Sequence, residues 1–482
     1  MQAVFRADAS AAIGGGHVAR CATLGAALSA HGWRCTLAAA APVPATGMTA
    51  LALPARADEE VPALKAALPD GCDLLVVDHY GRDAAFEAAC RSWARRILAL
   101  DDAPARRHDC DLLLDPAPGR AAALYAPLVP AACRILAGPA WAPLRANFAQ
   151  RRPRPMPHGA RLCIGFGATD PTNATQAALD AVARAGITAQ VDVILGPDAP
   201  HLDAIRRLVT GLPAVRLHVG PPDVATILHG ATLAIGAGGV SALERCALGV
   251  PSLIVPVAAN QNDTAAGLAQ AGAAIVTDGA PADLAAALAS LWPDTARRQA
   301  MRSAALALCD SLGASRVAAA VSPTLARDGR PVALRPAGPD DAAAVLAWRS
   351  HPDVRRWSRN ADAPDPAAHA RWFAARRVDP GCFLQLVEHG GEAAGVVRLD
   401  AAEDYAATAA FEVSIMIDPS RQRLGLGAAA LALAAHAVPW AELRAEVLPG
   451  NRISRALFAA AGYAPRGAGW YVRQPMHRAT QP

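Results

Sequence analysis

Over roughly the first 320 positions, short apolar runs alternate with longer stretches whose apolar residues recur at helical spacing. The runs, each a candidate strand, fall at 2–7, 33–39, 73–78, 95–100, 111–115, 133–138, 161–166, 189–195, 214–219, 232–236, 252–256 and 274–277. A basic, proline-rich segment at 150–158 interrupts this rhythm. Alternating strands and helices are typical of parallel sheets, so we expect two doubly wound α/β domains, at 1–152 and 158–322, with a ligand cleft between them.

The pattern changes after a second linker at 323–331, PTLARDGRP. A strand, a turn and a helix open this region, and further strands then cluster at 382–388, 393–399 and 409–417. A helix from about 425, a strand at 442–447 and a helix from 451 follow. We therefore expect a third domain of α+β type, with an antiparallel portion, at 331–482.

The composition allows a large buried core and restricts the partners only weakly. Hydrophobic residues make up 53% of the chain, and the net charge of +4 is spread without a block of Lys or Arg, which disfavours a nucleic-acid binder. Ten cysteines without a CxxC pair predict reduced thiols in a cytoplasmic protein. The sequence shows neither a signal-peptide pattern nor an uninterrupted apolar run of about 18 residues, so we expect no membrane partner.

A glycine-rich turn with a histidine follows the first strand. Glycines at 14–16 precede His17 at the predicted start of a helix. Glycines allow close backbone approach, a helix N-terminus attracts anions, and an imidazole can accept a proton from water. Arg6 and Arg20 could hold phosphate or carboxylate oxygens. A dinucleotide-binding turn is one alternative, although the spacing does not give GxGxxG, and a helix start without chemistry is another.

Acidic residues stand at the ends of two later strands. Asp78, His79 and Tyr80 follow one apolar run, and Asp101 and Asp102 follow another. Open α/β sheets bind ligands at the carboxyl ends of their strands. The alternative is that these aspartates cap helices or form turns. Their spacing matches no defined set of metal ligands, so no metal is expected.

The second half carries a GAGG turn between a strand and a helix. Gly238 and Gly239 suit a diphosphate at the helix start. Ser241 and Glu244 could serve either as a capping box or, through Glu244, as a ribose-binding carboxylate. Asn260 lies in a polar loop after the next strand, which could face the same cleft or be a solvated turn.

These motifs occur together in a known family. FRADAS…IGGGHVARC, DHYG, the LDD strand end, GATD and GAGGVSALE…PVAANQ follow one another in the order found in the hydrolases of pseudaminic acid biosynthesis, which the 1–320 segment resembles. These hydrolases remove UDP from UDP-2,4-diacetamido-2,4,6-trideoxy-β-L-altrose. The segment is also similar to GT-B glycosyltransferases, especially the lipid II-forming N-acetylglucosaminyltransferase. The resemblance implies a GT-B-like pair of domains and metal-free hydrolysis of the anomeric C–O bond with inversion.

The resemblance also implies roles for individual residues. His17 matches the histidine that would act as the base and activate water. One base would suffice, because UDP is a good leaving group and needs little help from a general acid. The expected substrate-binding residues are Arg6, Gly16, Tyr80 and Asn260. The expected UDP-binding residues are Gly238, Gly239, Ser241 and Glu244.

A second anion-binding loop lies in the third domain. The stretch 411–438 reads as a strand, then Arg421-Gln-Arg-Leu-Gly425-Leu-Gly427, then a helix. Together with NRISRALFAAAGY at 451–463, it resembles the pyrophosphate loop of GNAT-type N-acetyltransferases. The resemblance implies that acetyl-CoA is held by Met416, Ile417, Arg421, Gly425, Gly427 and Asn451. Glu412 is then a candidate base and Tyr463 a candidate acid, with Tyr471 as its rival.

Fusion of the two segments suggests two consecutive steps. The acetyltransferase would acetylate the 4-amino group of UDP-4-amino-4,6-dideoxy-N-acetyl-β-L-altrosamine, and the hydrolase would then release UDP, in the pathway to pseudaminic acid and flagellin glycosylation. The partners would be a small UDP-sugar and acetyl-CoA. The alternatives are a GT-B glycosyltransferase, in which a hydroxyl group replaces water, and a UDP-sugar-binding module fused to an acetyltransferase of other specificity.

Overall fold

The computed structural model describes residues 1–9, 15–43, 46–155 and 159–476, in two compact units. The first unit comprises Met1–Phe148 and Met156–Ala314, and the second comprises Ala149–Pro155 and Ser315–Pro482. Two sheets belong to the first unit and one to the second. The domain boundaries drawn from the sequence stay predictions.

The first sheet has seven parallel strands in the order β3-β2-β1-β4-β5-β6-β7. They are β1 Gln2–Ala7, β2 Arg34–Ala39, β3 Thr49–Ala52, β4 Leu74–Asp78, β5 Ile97–Leu100, β6 Leu112–Asp115 and β7 Arg134–Ala137. The helices are α1 Gly16–Ala30, α2 Ala57–Ala67, α3 Ala84–Cys90, α4 Ala122–Tyr125 and α5 Ala146–Arg151. Because β1 has β2 on one side and β4 on the other, the strand order reverses there, and the loops after β1 and β4 meet at one edge.

The second sheet repeats this plan with six parallel strands in the order β10-β9-β8-β11-β12-β13. They are β8 Arg161–Gly165, β9 Gln190–Leu195, β10 Val215–Val219, β11 Leu233–Gly236, β12 Ser252–Ile254 and β13 Ala274–Val276. The helices are α6 Ala174–Arg184, α7 Leu202–Thr210, α8 Val224–His229, α9 Val240–Ala247, α10 Asn262–Gln270, α11 Pro281–Leu291, α12 Thr295–Leu308 and α13 Gly313–Val321. The reversal falls between β8 and β11, so the GAGG turn lies at this sheet's own binding edge.

The third sheet is mixed, with the order β14-β15-β16-β17-β18-β19-β21-β20. Its strands are β14 Thr324–Leu325, β15 Pro331–Pro336, β16 Cys382–His389, β17 Glu392–Ala401, β18 Ala410–Ile417, β19 Glu442–Glu446, β20 Ala464–Pro465 and β21 Trp470–Arg473. Its helices are α14 Ala342–Ser350, α15 Pro352–Arg355, α16 Pro366–Arg377, α17 Tyr405–Thr408, α18 Leu426–Ala437 and α19 Arg452–Ala460. β18 and β19 form the parallel pair, and the other neighbours are antiparallel.

The predicted fold class, two doubly wound domains followed by an α+β domain, is confirmed by these sheets. The predicted strands lie within two residues of the observed ones at either end. The edge strand β3 was not predicted, because its four residues TALA form a very short strand in which three residues are exposed. Leu75 and Leu113 in the first sheet and Leu253 in the second are fully buried, as expected for strands that helices cover on both faces.

One stretch differs from the expectation about membranes. Thr295–Val321, which contains α12 and α13, is long and apolar enough to cross a bilayer by length and composition, with a mean hydropathy of 1.4. Its most apolar window is 67% buried inside the protein, as the core helix of a soluble protein would be. The stretch is therefore weak evidence for a span.

Candidate active sites

His17 contacts a buried carboxylate at the binding edge of the first sheet. It lies in the first turn of α1, is 8% exposed, and its Nδ1 is 2.5 Å from Oδ1 of Asp78 at the end of β4. Asp78 is ionised, so Nδ1 carries the proton and donates it to this oxygen. Nε2 is then the unprotonated nitrogen, which can accept a proton from water.

Arg20 fixes the carboxylate that orients His17. It lies one helical turn after His17 on α1, and its Nε and Nη2 donate to the two oxygens of Asp78 at 2.6 and 2.5 Å. Burial alone would raise the pKa of Asp78, but the Arg20 charge and its hydrogen bonds hold that pKa at about 2. Asp78 therefore remains an anion throughout the neutral pH range. Asp78 was predicted at a strand end but not among the site residues, because its contact with His17 is not local in the chain.

Tyr80 links His17 to the second sheet. Its ring lies edge-on to the imidazole, with centroids 5.0 Å apart. The Tyr80 hydroxyl donates to Asp102 at 3.0 Å and accepts from Nδ2 of Asn260 at 2.9 Å. Burial, followed by the charge of Asp102, raises the pKa of Tyr80 to about 12, so the hydroxyl keeps its proton. The structure thus brings His17, Tyr80 and Asn260 together, as the site prediction requires, while their chemical roles stay predictions.

A buried ionic network supports the Tyr80 loop. Arg106 donates to the Tyr80 carbonyl oxygen at 2.6 Å and to Asp101 at 2.5 Å. His108 lies behind it, with Nε2 3.2 Å from Asp101 and Nδ1 2.8 Å from Glu87. Burial by itself would lower the pKa of His108, but the bonds to Asp101 and Glu87 raise it to about 9. This imidazole is therefore a cation at neutral pH.

This network predicts a pH-dependent stability. The pKa of His108 is higher in the folded than in the unfolded chain, so its protonation stabilises the folded state. This stabilisation is complete below the unfolded pKa of 6.5 and is lost as the pH rises through about 9. For His108 the contribution is roughly 3 kcal/mol. In urea unfolding followed at pH 6 and pH 9.5, we expect His108→Gln to destabilise the first unit at pH 6 and to differ less from the unmodified chain at pH 9.5. His201→Gln is the matched control, and an equal loss at both pH values would contradict the assignment.

The GAGG turn is held by Gln261, which follows Asn260 in the polar loop predicted after β12. The Gly238 N–H donates to Oε1 of Gln261 at 3.0 Å, and the Val257 N–H donates to the same oxygen at 3.1 Å. A Cβ on Gly238 would lie 3.1 Å from the Gln261 carbonyl oxygen, so the close approach favours glycine. Gln261 neighbours Asn260, and one short segment therefore reaches both Tyr80 and the turn.

The capping-box alternative for Ser241 and Glu244 is wrong. The N-cap of α9 is Gly239, which has no side chain, and Ser241 lies inside the first turn within 3.4 Å of Arg245 Nη1. Glu244 accepts a hydrogen bond from Arg145 at 3.2 Å. Burial raises the pKa of Glu244 in spite of this arginine. Neither side chain therefore caps the start of α9, and their contact with UDP stays a prediction.

Two further residues predicted to bind substrate, Arg6 and Gly16, lie near the start of the chain. Arg6 is fully buried, with Nη2 2.6 Å from Glu60 and Nη1 2.8 Å from Asp8, so its guanidinium is occupied by carboxylates. Gly16 is the first residue of α1, and a Cβ there would meet open space. The preceding Gly14 lies outside the described residues. Arg6 thus has a structural role in this ion-pair network, and its contact with substrate stays a prediction.

The predicted acetyl-CoA loop leads into α18. Gly425 is the N-cap of this helix with φ +82°, a left-handed conformation that favours glycine. A Cβ on Gly427 would lie 3.1 Å from Leu457, so α18 packs closely against α19. Arg421 lies in the 3₁₀ turn before the loop and pairs with Glu392 at 2.7 Å. The free N–H groups at the start of α18 form a place for a pyrophosphate.

This geometry predicts a strong effect of a small change in the loop. An L-residue in the left-handed region costs roughly 1–2 kcal/mol. If that cost appears in cosubstrate binding, Gly425→Ala raises the KM for acetyl-CoA about tenfold. Gly391→Ala is the matched control, because Gly391 has φ +89° in the β16–β17 turn with open space around a Cβ. Equal effects of the two variants on KM would contradict the prediction.

The two parallel strands of the third sheet separate beyond Glu412. Their pairing covers Ala410 to Glu412 and no further, whereas β18 continues along β17 to Ile417. Met416 and Ile417 therefore lie along an opening next to the loop. Asn451 caps α19 by accepting from the Ser454 N–H at 3.0 Å, so its side-chain oxygen already has a partner.

The two acetyltransferase candidates lie in different surroundings. Glu412 has a side chain 43% exposed, and it shares Arg359 with Glu446, at 3.6 and 2.6 Å respectively. Tyr463 is 3% exposed and packs edge-on against Phe458. Its hydroxyl has no hydrogen-bond partner among the described residues, and burial strongly raises its pKa. Glu412 is thus accessible, while Tyr463 has the position of a packing residue; both roles stay predictions.

The described residues contain no cluster of three or more His, Cys, Asp or Glu suited to a metal ion. None of the ten cysteines, all of which lie in the described part of the chain, forms a disulfide, and nine of them are buried.

Comparison with known proteins separates the chain into two parts. Residues 332–464 match the family described as an acetyltransferase (GNAT) domain. The UDP-2,4-diacetamido-2,4,6-trideoxy-beta-L-altropyranose hydrolase of Campylobacter jejuni subsp. jejuni serotype O:2 is 24% identical over 278 residues, 56% of this chain and 97% of the hydrolase. The spore coat polysaccharide biosynthesis protein SpsG of Bacillus subtilis is 34% identical over 82 residues, 17% of this chain and 24% of SpsG.

Among solved structures, Acinetobacter baumannii MurG matches 67% of this chain and 99% of its own, with 15% identity and a TM-score of 0.46. Mycobacterium smegmatis RimJ, in complex with CoA-disulfide, matches 31% and 84%, with 22% identity and a TM-score of 0.28. From the sequence comparisons, the chain carries a GNAT acetyltransferase domain, and the region before it resembles the altropyranose hydrolase.

Proposed function

We propose that this chain is a bifunctional cytoplasmic enzyme of pseudaminic acid biosynthesis. Its C-terminal domain would transfer an acetyl group from acetyl-CoA to the 4-amino group of UDP-4-amino-4,6-dideoxy-N-acetyl-β-L-altrosamine. Its N-terminal region would then hydrolyse the product to the free sugar and UDP. The observation that carries the proposal is the pair formed by His17 and Asp78, 2.5 Å apart beside Tyr80 and Asn260.

In the hydrolytic step, Nε2 of His17 takes a proton from water as the water oxygen bonds to the anomeric carbon. The bond from that carbon to the UDP oxygen breaks, and UDP leaves with the electron pair, so the configuration inverts. The Asp78 carboxylate stabilises the imidazolium that forms, and it also fixes the tautomer beforehand. No paired carboxylates of the glycosidase kind are needed, because UDP is already a stable anion.

The leaving group requires donors on the side of the second sheet. The start of α9 and the Gly238–Gly239 turn offer N–H groups to the diphosphate, although the Gly238 N–H is bonded to Gln261. UDP would therefore displace the Gln261 side chain from the Gly238 N–H or bind beside it. The polar groups of Ser241 and Glu244 follow on the same helix and suit the nucleoside.

In the acetyl transfer step, the amine nitrogen attacks the thioester carbonyl of acetyl-CoA. Glu412 removes a proton from the amine, directly or through water, and the CoA thiolate leaves and is protonated to the thiol. The separation of β18 and β19 beside the 421–427 loop supports binding of the cosubstrate there. The exposed carboxylates of Glu412 and Glu446 also favour a cationic amine at this place.

Incubation of the full chain with the 4-amino UDP-sugar tests both activities at once. We expect acetyl-CoA consumption followed by stoichiometric UDP release, and little UDP release without acetyl-CoA. Anomeric configuration, read by NMR immediately after release, should be inverted. Acetyl transfer without UDP release would reject the hydrolase, UDP release only in the presence of an added hydroxyl acceptor would favour a glycosyltransferase, and neither reaction would reject the proposal.

A further inference from the structure

A cavity of about 320 Å³ lies in the acetyltransferase domain, away from the 421–427 loop. It is lined by α14, by α16 and by the segment between α15 and α16, with Arg349, His369 and Trp372 on the helices and Ser358 and Asn360 on the segment. Ligand sites in proteins begin at about this size, and they place a few polar groups in fixed positions. The cavity is therefore large enough for a small polar group of a substrate.

Arg349 is held in the cavity by a neutral partner. Its Nη1 lies 3.1 Å from Nδ1 of His369, whose Nε2 lies 3.1 Å from the Ala342 carbonyl oxygen. The carbonyl can only accept, so Nε2 carries the proton and Nδ1 accepts from the guanidinium. Burial lowers the pKa of His369, which keeps the ring uncharged. His369 thus orients Arg349 without neutralising it.

A second arginine adds to the positive charge. The guanidinium carbons of Arg349 and Arg398 lie 4.6 and 5.4 Å from the centre of the Trp372 ring. Burial, and then repulsion from Arg398, lowers the pKa of Arg349. The charge of Arg398 is compensated by Asp400, whose Oδ2 lies 2.5 Å from Nε of Arg398. Among the residues that the structure describes, no carboxylate forms an ion pair with Arg349, so its guanidinium keeps donors for a ligand.

Two acidic residues, Asp362 and Asp365, also line the cavity and carry negative charge, but neither forms an ion pair with Arg349. Asp365 caps α16, because its carboxylate accepts from the Ala368 N–H at 2.6 Å. Asp362 is exposed to solvent. A guanidinium fixed in a partly enclosed site, without a carboxylate bonded to it, favours an anionic ligand, and its planar set of donors suits phosphate oxygens.

The cavity lies on the same face of the sheet as the candidate base. Arg398 Nη2 is 3.5 Å from the Ser414 hydroxyl, and Ser414 is two residues from Glu412 on β18. Side chains two apart on a strand point to one face, about 7 Å from each other. Between Ser358 and Asn360, which line the cavity, Arg359 pairs with Glu412. One small acceptor molecule could therefore contact both the cavity and Glu412.

We propose that this cavity binds the phosphate groups of the acceptor, a nucleotide-linked amino sugar, with Arg349 as their main counter-charge, while the amine lies at Glu412. The inference rests on the proposed acetyl transfer and adds the part of the site that recognises the acceptor. It also predicts selection against polycationic amines, which Arg349 and Arg398 would repel.

The test is the kinetics of acetyl transfer by the full chain. We expect Arg349→Gln to raise the KM for the 4-amino UDP-sugar about tenfold or more, with the KM for acetyl-CoA changed less than about twofold. Arg349→Lys should recover part of the loss. Arg371→Gln is the matched control, since Arg371 is an exposed arginine on α16, the other helix that lines the cavity, and it should behave like the unmodified chain.

Shortening the acceptor identifies the group that is recognised. With the same amino sugar as a methyl glycoside, which lacks phosphate, Arg349→Gln and the unmodified chain should have equal KM values, because the lost contact is absent from both. An equal loss with both acceptors would overturn the inference, and so would a rise in the KM for acetyl-CoA alone, which would assign Arg349 to the cosubstrate phosphates. No acetyl transfer by the unmodified chain would instead reject the proposed function, and the inference with it.

Discussion

Replacement of His17 by alanine should abolish most UDP release while sparing acetyl transfer. A general base contributes about 10²–10⁴-fold to a rate, so we expect kcat for hydrolysis of the acetylated UDP-sugar to fall about 10³-fold. The imidazole is 8% exposed and contacts Tyr80 by its edge, so the substrate pocket should survive its removal. The measurement is continuous detection of UDP, with binding of the UDP-sugar followed in parallel by calorimetry.

Two controls make this result specific. Acetyl transfer by the same variant reports on the folding of the second unit and should be unchanged, while binding of the UDP-sugar reports on the folding of the first unit. His351→Ala changes a partly exposed histidine of the second unit and should leave hydrolysis intact. Exogenous imidazole should restore part of the activity of His17→Ala. A variant that still releases UDP at the normal rate would exclude His17 as the base, and loss of UDP-sugar binding would assign it to binding instead.

Asp78→Asn should lower UDP release nearly as much as His17→Ala does, although it only replaces one carboxylate oxygen by an NH₂ group. Oδ1 accepts from His17 and from Arg20, and Oδ2 accepts from Arg20. An asparagine has one acceptor oxygen, so its NH₂ group must face either Arg20 or Nδ1 of His17. In the second orientation the imidazole proton moves to Nε2, which blocks the base. We expect kcat for UDP release to fall about 10³-fold or more.

The matched control is Asp73→Asn, at the opposite end of the β4 segment, where the carboxylate accepts from the Gln2 N–H at 2.8 Å. It should leave kcat unchanged. The pKa of Asp78 is about 2, so the acid limb of the hydrolysis profile should not report its ionisation. Its depressed pKa stabilises the fold above pH 3.8, and that contribution is lost as the pH falls toward 2. Unchanged hydrolysis by Asp78→Asn would show that the carboxylate has no part in the reaction.

The sequence by itself determined the fold class and most of its elements. The apolar runs of the two parallel sheets are buried on both faces, and a continuous run is visible without knowledge of the neighbours. The helix starts at Gly16 and Leu426 are marked by glycine turns, which are local in the chain. Local signals of this kind placed His17 and the acetyl-CoA loop. They did not reveal β3, whose residues are too exposed to form a pattern.

The partners of these residues were decided by the tertiary structure. Asp78 is 61 positions from His17, and they meet because β1 and β4 are neighbours where the strand order reverses. Asn260 is 180 positions from Tyr80, on the other sheet of the same unit. Hydrophobic periodicity fixes which face of an element is buried, but it carries no information about which distant element covers that face. For that reason Arg349, whose significance depends on a neutral histidine and a missing counter-ion, could be recognised only in the folded chain.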